Sequence, residues 1–442
     1  MSNHSPDAAQ AKGVGLADRR PTRFDPNATG TGGTNDEEST KMPIHIKLAK
    51  SAREIDDALW LRHEVFVVED GRFGGKPLRD ERLVDRFDAF PETSHMVAYE
   101  NDEPVATVRL IKDSGIGMPV DELYDFGPIR SQLLAGAMAA NGRPPGAVQV
   151  QFGSAGMFAI RANWRRRRDV IRAMFRMAAA ALHRCGVTHV LAVVNHETAG
   201  MYRRFGFVQR SEKIWHEEIG DHIIALTGMT EDLHVWARGQ LPETVISLFE
   251  HSCDRIVFRA GEPVFLEGDA GEQAFVVDSG ELRITRRRDS GEELTLAHLK
   301  RGELFGELAL IDDKPRSASA IAVSDTELMT LDRETFQRHL RENPDQGQQL
   351  LQVFSSRMRS MGDLAMVLAF APAAQRLEFA LELARRQAVR DPGDVRKSVF
   401  RGGPRELALL AAVDEQAAVA FLEQAAAESS LEFSPRIIAF LD

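Results

Sequence analysis

Residues 302–322 read GELFGELALIDDKPRSASAIA, a glycine-flanked apolar run followed by an arginine. Gly302 and Gly306 permit backbone conformations that a β-carbon would block. If GELAL forms a helical turn, its free N–H groups face an anion, and Arg316 adds a planar cationic fork that suits phosphate oxygens. Glu307 suits the hydroxyl groups of a sugar. These residues predict a site for a nucleotide with a single phosphate, whereas a plain turn beside a surface arginine is the alternative.

The surroundings of this stretch predict a small β-domain. Short apolar runs such as RIVF, LRITRR, ELTLAHL and ELMTLD alternate with glycine-containing turns, which is typical of a β-sandwich or barrel. Together with FRAGEPVFLEGDAGEQAFVVDSGELRITRR, the cassette FGELALIDDKPRSA resembles the phosphate-binding cassette of cyclic nucleotide-binding domains, over about residues 240–345. The resemblance implies that Glu307 binds the ribose 2′-hydroxyl and that Arg316 holds the cyclic phosphate.

The ligand that this resemblance implies is cAMP, and Ser317 also suits cGMP. The residues expected to bind the nucleotide are Gly306, Glu307, Leu308, Ala309, Arg316, Ser317 and Ala318.

A helical region follows the β-domain, from Asp332 to Arg386. One face of it carries Leu350, Leu351, Phe354, Met358, Met361, Leu364 and Leu368 at helical spacing. The run is longer than a small barrel can cover, so we expect a homodimer that pairs through residues 346–388. It resembles the long helix of the cAMP receptor protein family.

The last segment, GPRELALLAAVDEQAAVAFLEQAAAESSLEFSPRIIAFLD, resembles the winged helix-turn-helix of that family. DEQAAVAFLEQAA takes the place of the recognition helix, but Glu415 and Glu423 stand where contact with DNA needs donors for phosphates and base edges. We therefore predict a degenerate winged helix that serves packing or contact with a partner, and DNA binding is disfavoured.

The amino-terminal module carries a different chemistry. NHETAGMYRRFGF follows the strand VTHVLAVV and resembles the last strand and helix of GNAT-type acyltransferases through Asn195 and Tyr202. A tyrosine hydroxyl, with a reference pKa of about 10, can donate a proton to the thiolate that leaves when an amine attacks a thioester. Tyr202 is thus the candidate general acid, and a tyrosine that only fills the core is the alternative.

The upstream half of the amino-terminal module resembles the GNAT branch that comprises acyl-homoserine-lactone synthases and N-acyl amino acid synthases. LRHEVFVVEDGRFGG, VDRFD and TVRLI carry this resemblance, which implies that Asp85, Asp88 and Arg109 position an amine substrate. Leu83 stands where lactone synthases carry an acid, so a lactone product is not expected.

The run RRRRDVIRAMF places Arg165, Arg166, Arg167 and Arg168 at the start of a predicted helix. Cationic side chains at a helix amino terminus oppose its dipole, so an anion is expected beside them. The phosphates of coenzyme A and the acidic surface of an acyl carrier protein both fit, and a solvated charge run is the alternative. Glycines that would bring the backbone close to a pyrophosphate are missing, which favours a carrier protein or a long acyl chain.

Composition sets limits on these assignments. The chain has 442 residues, a formal net charge of −11 and two cysteines, which disfavours a general nucleic-acid binder and a disulfide framework. No apolar run approaches the ~20 residues that span a bilayer, and the expected location is the cytoplasm. No metal site is predicted.

The predicted fold is multidomain. A disordered tail (1–42) precedes an α/β GNAT-like domain (43–236), a β-barrel cyclic nucleotide-binding domain (237–345), a long helix (346–388) and a degenerate winged helix (389–442). The predicted function is a cAMP-regulated N-acyltransferase that moves an acyl group from acyl-coenzyme A or acyl carrier protein to a small-molecule or protein amine. A non-catalytic sensor and a DNA-binding regulator are the rival hypotheses.

Overall fold

In the computed structural model, the amino-terminal domain is built on a mixed β-sheet with helices on both faces. The structure describes residues 43–73, 80–141, 150–238, 254–287, 293–342, 344–391, 394, 396–428 and 431–441. The predicted disordered tail, 1–42, lies outside the described residues. The strands of this domain are β1 (Ile44–Leu48), β2 (Thr93–Glu100), β3 (Glu103–Lys112), β4 (Phe152–Ile160), β5 (His189–Asn195), β6 (Val208–Gln209), β7 (Ile214–His216) and β8 (Asp221–Met229).

The helices of this domain begin at clear sequence signals. Ser51 and Glu54 form a capping box at the first helix, and its last turn continues into a π-helical segment, His63–Glu69. The α-helices are α1 (Ala52–Arg62), α2 (Pro119–Leu123), α3 (Gly127–Asn141), α4 (Arg168–Arg184), α5 (Ala199–Arg204) and α6 (Thr230–Arg238). Two short 3₁₀ turns, Arg86–Ala89 and Ala162–Trp164, complete the set of described helices.

Two strands of this sheet run parallel and then part. β4 pairs with β5 only at Phe152–Ser154, opposite His189–Leu191, and each strand continues beyond that point. The ladder between β3 and β4 shifts register between Thr107 and Arg109, where Met157 adopts a positive φ of 52°. The extra residue is a β-bulge, which bends β4 away from β5.

The next domain is a small antiparallel β-structure. Its strands are β9 (Arg255–Phe258), β10 (Pro263–Phe265), β11 (Gln273–Ser279), β12 (Leu282–Arg287), β13 (Glu293–Leu299), β14 (Leu304–Phe305), β15 (Ser319–Ala322) and β16 (Thr326–Asp332), with helix α7 (Leu308–Asp312) before β15. The predicted strands RIVF, LRITRR, ELTLAHL and ELMTLD are confirmed. Phe258, Phe275, Phe305 and Leu328 fill the core between its two sheets.

The two domains share one sheet. β9 pairs antiparallel with β1, with Ile44 opposite Val257 and Ile46 opposite Arg255. In the described residues this gives a 12-stranded sheet in the order β14-β11-β16-β9-β1-β2-β3-β4-β5-β8-β6, with β7 on β8. The strands β10, β15, β12 and β13 form the second sheet of the β-domain.

Among the described residues, the helical prediction after Asp332 and through Arg386 is confirmed except for a break at Ala371 and Pro372. The helices are α8 (Arg333–Glu342), α9 (Pro344–Phe370) and α10 (Ala373–Gln387). A carboxyl-terminal layer of two helices, α11 (Pro404–Ala411) and α12 (Glu415–Ala427), packs on a sheet of β17 (Val389–Arg390), β18 (Lys397–Phe400), β20 (Ile437–Leu441) and β19 (Leu431–Ser434). None of the helices in the described ranges combines the length and the apolar character needed to cross a membrane.

Candidate functional site

Arg316 of the cassette is buried beneath the glycine turn that precedes α7. Its Nη1 donates a hydrogen bond to the Gly306 carbonyl at 2.5 Å, and its Nη2 donates to the Gln273 carbonyl at 2.7 Å. The guanidinium lies 4.2 Å from the ring centroid of Phe265. These contacts fix the plane of the fork, so its remaining N–H groups are oriented in advance for an anion.

Gly306 has a positive φ of 74°, which L side chains rarely adopt. A β-carbon on it would lie 2.8 Å from Arg316 Nη1. The turn therefore requires glycine both for its backbone conformation and for the close approach of the arginine.

Glu307 lies next to this turn with a side chain that is only 3% exposed. Its Oε1 accepts a hydrogen bond from Arg357 Nη1 at 2.8 Å, and Arg357 also donates to the Leu304 carbonyl. Burial raises the pKa of the Glu307 carboxyl, which Arg357 partly offsets. The predicted sugar-binding carboxylate is thus tied to the long helix α9, a contact that the sequence did not indicate.

Arg333, which the sequence analysis also did not identify, binds backbone carbonyls on both sides of the cassette turn. Arg333 Nη2 donates to the carbonyls of Gly271 at 2.8 Å and Ala309 at 2.9 Å, and its Nη1 pairs with Asp313. Arg333 opens α8, just after strand β16, and no local pattern marks it.

The other predicted nucleotide residues lie around the same turn. Leu308 is exposed and Ala309 is buried in the first turn of α7, while Ser317 is exposed and Ala318 is buried just before β15. The structure therefore brings all of the predicted nucleotide-binding residues to one region. Their role in binding stays a prediction.

The predicted acceptor residues meet in a buried group that we call the charged cluster (Arg62, Asp85, Asp88, His95 and Arg109). Arg109 Nη1 lies 2.6 Å from Asp85 Oδ1 and 2.9 Å from Asp88 Oδ1. Arg62 Nη1 lies 2.8 Å from the same oxygen of Asp88. Burial alone would raise the pKa of Asp88, but Arg62 and Arg109 lower it below its usual value. Asp85 is the most exposed of the three predicted acceptor residues.

His95 was not anticipated from the sequence. Its Nδ1 lies 2.8 Å from Arg62 Nη2. Since a guanidinium only donates, Nδ1 accepts and the proton sits on Nε2. Burial, followed by the charge of Arg62, lowers the pKa of His95 to about 4. A neutral His95 therefore holds Arg62 against Asp88.

Tyr202 lies on the opposite face of the sheet from the charged cluster. Val108 and Arg109 are neighbours on β3, so their side chains point to opposite faces. Val108 lines an apolar cavity together with Tyr202, whereas Arg109 faces Asp85 and Asp88. Of the predicted catalytic residues, Tyr202 thus lies on one face and Asp85, Asp88 and Arg109 lie on the other.

The apolar cavity lies between α4, α6 and the sheet. Tyr202, Phe158, Phe175 and Trp236 are among its lining residues. Burial raises the pKa of the Tyr202 hydroxyl above its ordinary value, so the group stays protonated at neutral pH.

The sheet separates Tyr202 from the charged cluster, and the parting of β4 and β5 interrupts it. Asn195 ends β5 on the diverging side, and its backbone carbonyl accepts a hydrogen bond from Thr198 Oγ1 at 3.0 Å. Its side chain is half-buried. Asn195 therefore lies on β5 beyond the point where its pairing with β4 ends.

The basic run divides into paired and unpaired members. Arg165 forms ion pairs with Glu69 at 3.0 Å and Asp70 at 2.8 Å, and Arg167 pairs with Asp169 at 2.6 Å. Arg166 and Arg168 are exposed, and neither forms a salt bridge with any residue in the described ranges. Two of the four predicted donor-binding arginines are thus engaged in ion pairs within the chain, and donor binding by the run stays a prediction.

Two parts of the chain match known protein families. Residues 57–228 match the family model for the N-acyl amino acid synthase FeeM, and residues 255–343 match that for the cyclic nucleotide-binding domain. The chain therefore joins an N-acyl amino acid synthase FeeM domain to a cyclic nucleotide-binding domain of the cAMP receptor type.

The similarity to individual proteins extends this assignment. The cyclic AMP receptor protein of Thermus thermophilus is 35% identical over 201 residues, which cover 45% of this chain and 88% of that protein. The CRP-like cAMP-activated global transcriptional regulator of Mycobacterium tuberculosis is 28% identical over 177 residues, which cover 40% of this chain and 75% of that protein. A crystal structure of Thermus thermophilus catabolite activator protein shares 33% identity over 46% of this chain and 91% of that chain, with a TM-score of 0.28. Through this region the chain belongs to the cAMP receptor protein family.

Proposed function

We propose that this protein is a cyclic nucleotide-regulated N-acyltransferase of GNAT type. It would transfer an acyl group from acyl-coenzyme A or an acyl carrier protein to an amine. One observation carries the proposal: a charged cluster and an apolar cavity lie on opposite faces of a single sheet, at the place where β4 and β5 part. Such a sheet can receive a polar acceptor on one face and an acyl donor on the other.

The reaction needs three events at the gap. The amine lone pair attacks the thioester carbonyl carbon, the C–S bond breaks, and the nitrogen loses a proton while the thiolate gains one. Tyr202 supplies a hydroxyl that is protonated at neutral pH and suits the proton donor. Asp85, the most exposed acid of the charged cluster, suits the ammonium of the incoming acceptor, which gives up one proton to water before its nitrogen attacks as a neutral amine. Asp88 and Arg109 are buried and hold Asp85 in place.

The donor would enter past the start of α4. Arg166 and Arg168 offer exposed guanidinium groups to the phosphates of coenzyme A or to the acidic surface of a carrier protein. The apolar side chains that line the cavity further along α4 suit an acyl chain.

The catalytic proposal is tested with the full chain, dodecanoyl-coenzyme A and a mixture of the common amino acids, with and without cAMP. Free thiol is measured with Ellman's reagent and the amide product by mass spectrometry. Tyr202→Phe removes the proton donor, so we expect kcat to fall about 100-fold or more, with little change in donor affinity. Tyr124→Phe is the matched control, because Tyr124 hydrogen-bonds only weakly to the Arg210 carbonyl at 3.4 Å.

Two results would contradict the proposal that this protein is an enzyme. If neither dodecanoyl-coenzyme A nor a dodecanoyl carrier protein yields thiol and amide, the acyltransferase proposal fails. If the donor binds but no thiol is released, the rival hypothesis of a non-catalytic acyl-thioester sensor replaces it.

The nucleotide ligand is proposed to be cAMP, with cGMP as the alternative. Arg316 and the glycine turn suit a single phosphate, while Glu307 suits the ribose. Calorimetric titration of the two nucleotides, each also in competition with the other, decides between them.

The long helix is proposed to pair with a second copy of the chain. Leu351, Met358 and Met361 are 63%, 71% and 70% exposed on α9, and they lie seven and three residues apart. This is the spacing of an a/d seam in a coiled coil.

The carboxyl-terminal layer is proposed to be a winged-helix remnant. Helices α11 and α12 and the β19–β20 hairpin stand in the order that the sequence predicts. Helix α12 carries no Lys or Arg between Glu415 and Ala427, so phosphate contacts from it are disfavoured. The layer packs on the β-domain instead: Arg401 lies 3.2 Å from Glu281, and Phe400 contacts His298.

A further inference from the structure

One side chain of helix α4 crosses from the FeeM domain into the β-domain. Arg176 Nη1 donates to Glu327 Oε2 at 2.9 Å and lies 3.7 Å from Asp278 Oδ2. Glu327 is on β16 and Asp278 is on β11, and both carboxylates are buried. Arg255 of β9 pairs with both of them, 2.5 Å from Glu327 Oε1. We call these four residues the interdomain ion cluster (Arg176, Arg255, Asp278 and Glu327).

The same guanidinium contacts the wall of the apolar cavity. Arg176 lies 5.9 Å from the ring centroid of Trp236, which lines the cavity. Trp236 packs on Phe205 at 4.5 Å, Phe205 on Phe175 at 4.8 Å, and Phe175 on Tyr202 at 5.3 Å, measured between ring centroids. A change in the orientation of Arg176 therefore reaches the aromatic side chains around the candidate general acid.

On the other side, the interdomain ion cluster shares a strand with the nucleotide site. β11 begins at Gln273, whose carbonyl accepts a hydrogen bond from Arg316, and Asp278 lies near its end. Phe275 of the same strand lies 5.6 Å from the Arg316 guanidinium. A phosphate bound by the remaining N–H groups of Arg316 is linked through the Gln273 carbonyl to one end of β11, while Arg176 contacts Asp278 near the other end.

We infer that Arg176 is a positioning residue that couples nucleotide binding in the β-domain to the position of Trp236 in the cavity wall. A planar guanidinium cannot keep both its carboxylate and its aromatic contact if the carboxylate moves, because the two directions are fixed relative to one another. The inference rests on the proposed function only for the identity of the cavity's occupant. The coupling itself stands on the contacts of Arg176.

The test uses the full chain and three variants. Arg176→Gln removes the charge, and Arg176→Gln combined with Glu327→Gln removes one buried charge of each sign, which protects folding if the single variant is unstable. Arg386→Gln is the control, since Arg386 pairs with Glu382 on the exposed surface of α10. Calorimetry measures the affinity for cAMP and the affinity for dodecanoyl-coenzyme A with and without cAMP. Hydrogen exchange of residues 230–238 is followed with and without cAMP.

In the wild type and in the control, we expect cAMP to change the donor affinity about fivefold or more, which is the lower range of measured allosteric coupling. In both Arg176 variants we expect less than a twofold change, while the affinity for cAMP stays within about threefold of wild type. Exchange at residues 230–238 should respond to cAMP in the wild type and in neither Arg176 variant.

Unchanged coupling in folded Arg176 variants overturns the inference, as does a wild type in which cAMP alters neither donor affinity nor exchange at 230–238. If dodecanoyl-coenzyme A does not bind the wild type at all, the proposed donor fails. The exchange measurement then still decides the coupling, because it needs no acyl donor.

Discussion

Replacement of Arg316 tests the nucleotide site most directly. An arginine has five N–H donors, and two of them already bind the Gly306 and Gln273 carbonyls. The remaining donors, including a buried Nε that has no partner among the described residues, are available to a phosphate. Hydrogen bonds to charged groups contribute about 1.5–3 kcal/mol each, and about 1.4 kcal/mol is a tenfold change in affinity. Arg316→Ala should therefore weaken cAMP binding by about 10–150-fold.

The assay is calorimetric titration of cAMP into the full chain, with thermal unfolding as a check on folding. Arg316→Lys keeps the charge but not the planar fork, so its loss of affinity should be smaller, about tenfold. Arg286→Ala is the control, because Arg286 forms only an exposed pair with Glu267. An Arg316→Ala protein that unfolds like the wild type and binds cAMP within twofold of it would refute the assignment of the cassette.

Two further predictions concern stability and assembly. His95 is neutral in the folded protein, with a pKa near 4, and has a reference pKa of 6.5, so protonation favours the unfolded chain between these values. This contribution is complete above pH 6.5 and declines as pH falls toward 4. The difference in unfolding free energy between wild type and His95→Gln, measured by urea titration, should shrink by about 2–3 kcal/mol from pH 7 to pH 4.5, and a constant difference would contradict a neutral His95. Met358→Glu places a charge in the proposed seam of α9 and should shift sedimentation from dimer to monomer, whereas Ser360→Glu should not. Identical sedimentation of both variants would exclude this seam.

Local patterns predicted the parts of the site whose partners lie close in sequence. Gly306 and Arg316 belong to one short cassette. Gly306 adopts a positive φ, which favours glycine, and Arg316 donates a hydrogen bond to the backbone of the same turn. Asp85 and Asp88 share one 3₁₀ turn, so their convergence on Arg109 needed only the adjacent β2–β3 hairpin.

The missed residues depend on distant packing. Arg176 looks like one more polar residue of an amphipathic helix, and its carboxylate partners lie in another domain. His95 sits in an apolar strand, and only the pairing of β2 with β3 places it opposite Arg109. The separation of Tyr202 from the charged cluster follows from the alternation of Val108 and Arg109, but the sequence does not state which face α4 covers.

Strands β1 and β9 pair across the domain boundary, so each domain covers a strand edge of the other. A strand edge with free N–H and C=O groups is a template for pairing with other chains. Here Ile44 is paired with Val257 and Ile46 with Arg255, so the backbone of each strand is hydrogen-bonded to the other. Separating the two domains by proteolysis would therefore expose the unpaired N–H and C=O groups of both β1 and β9. The pairing of β1 with β9 therefore satisfies a strand edge of the FeeM domain and one of the cyclic nucleotide-binding domain at once, which is independent of any signal passing between them.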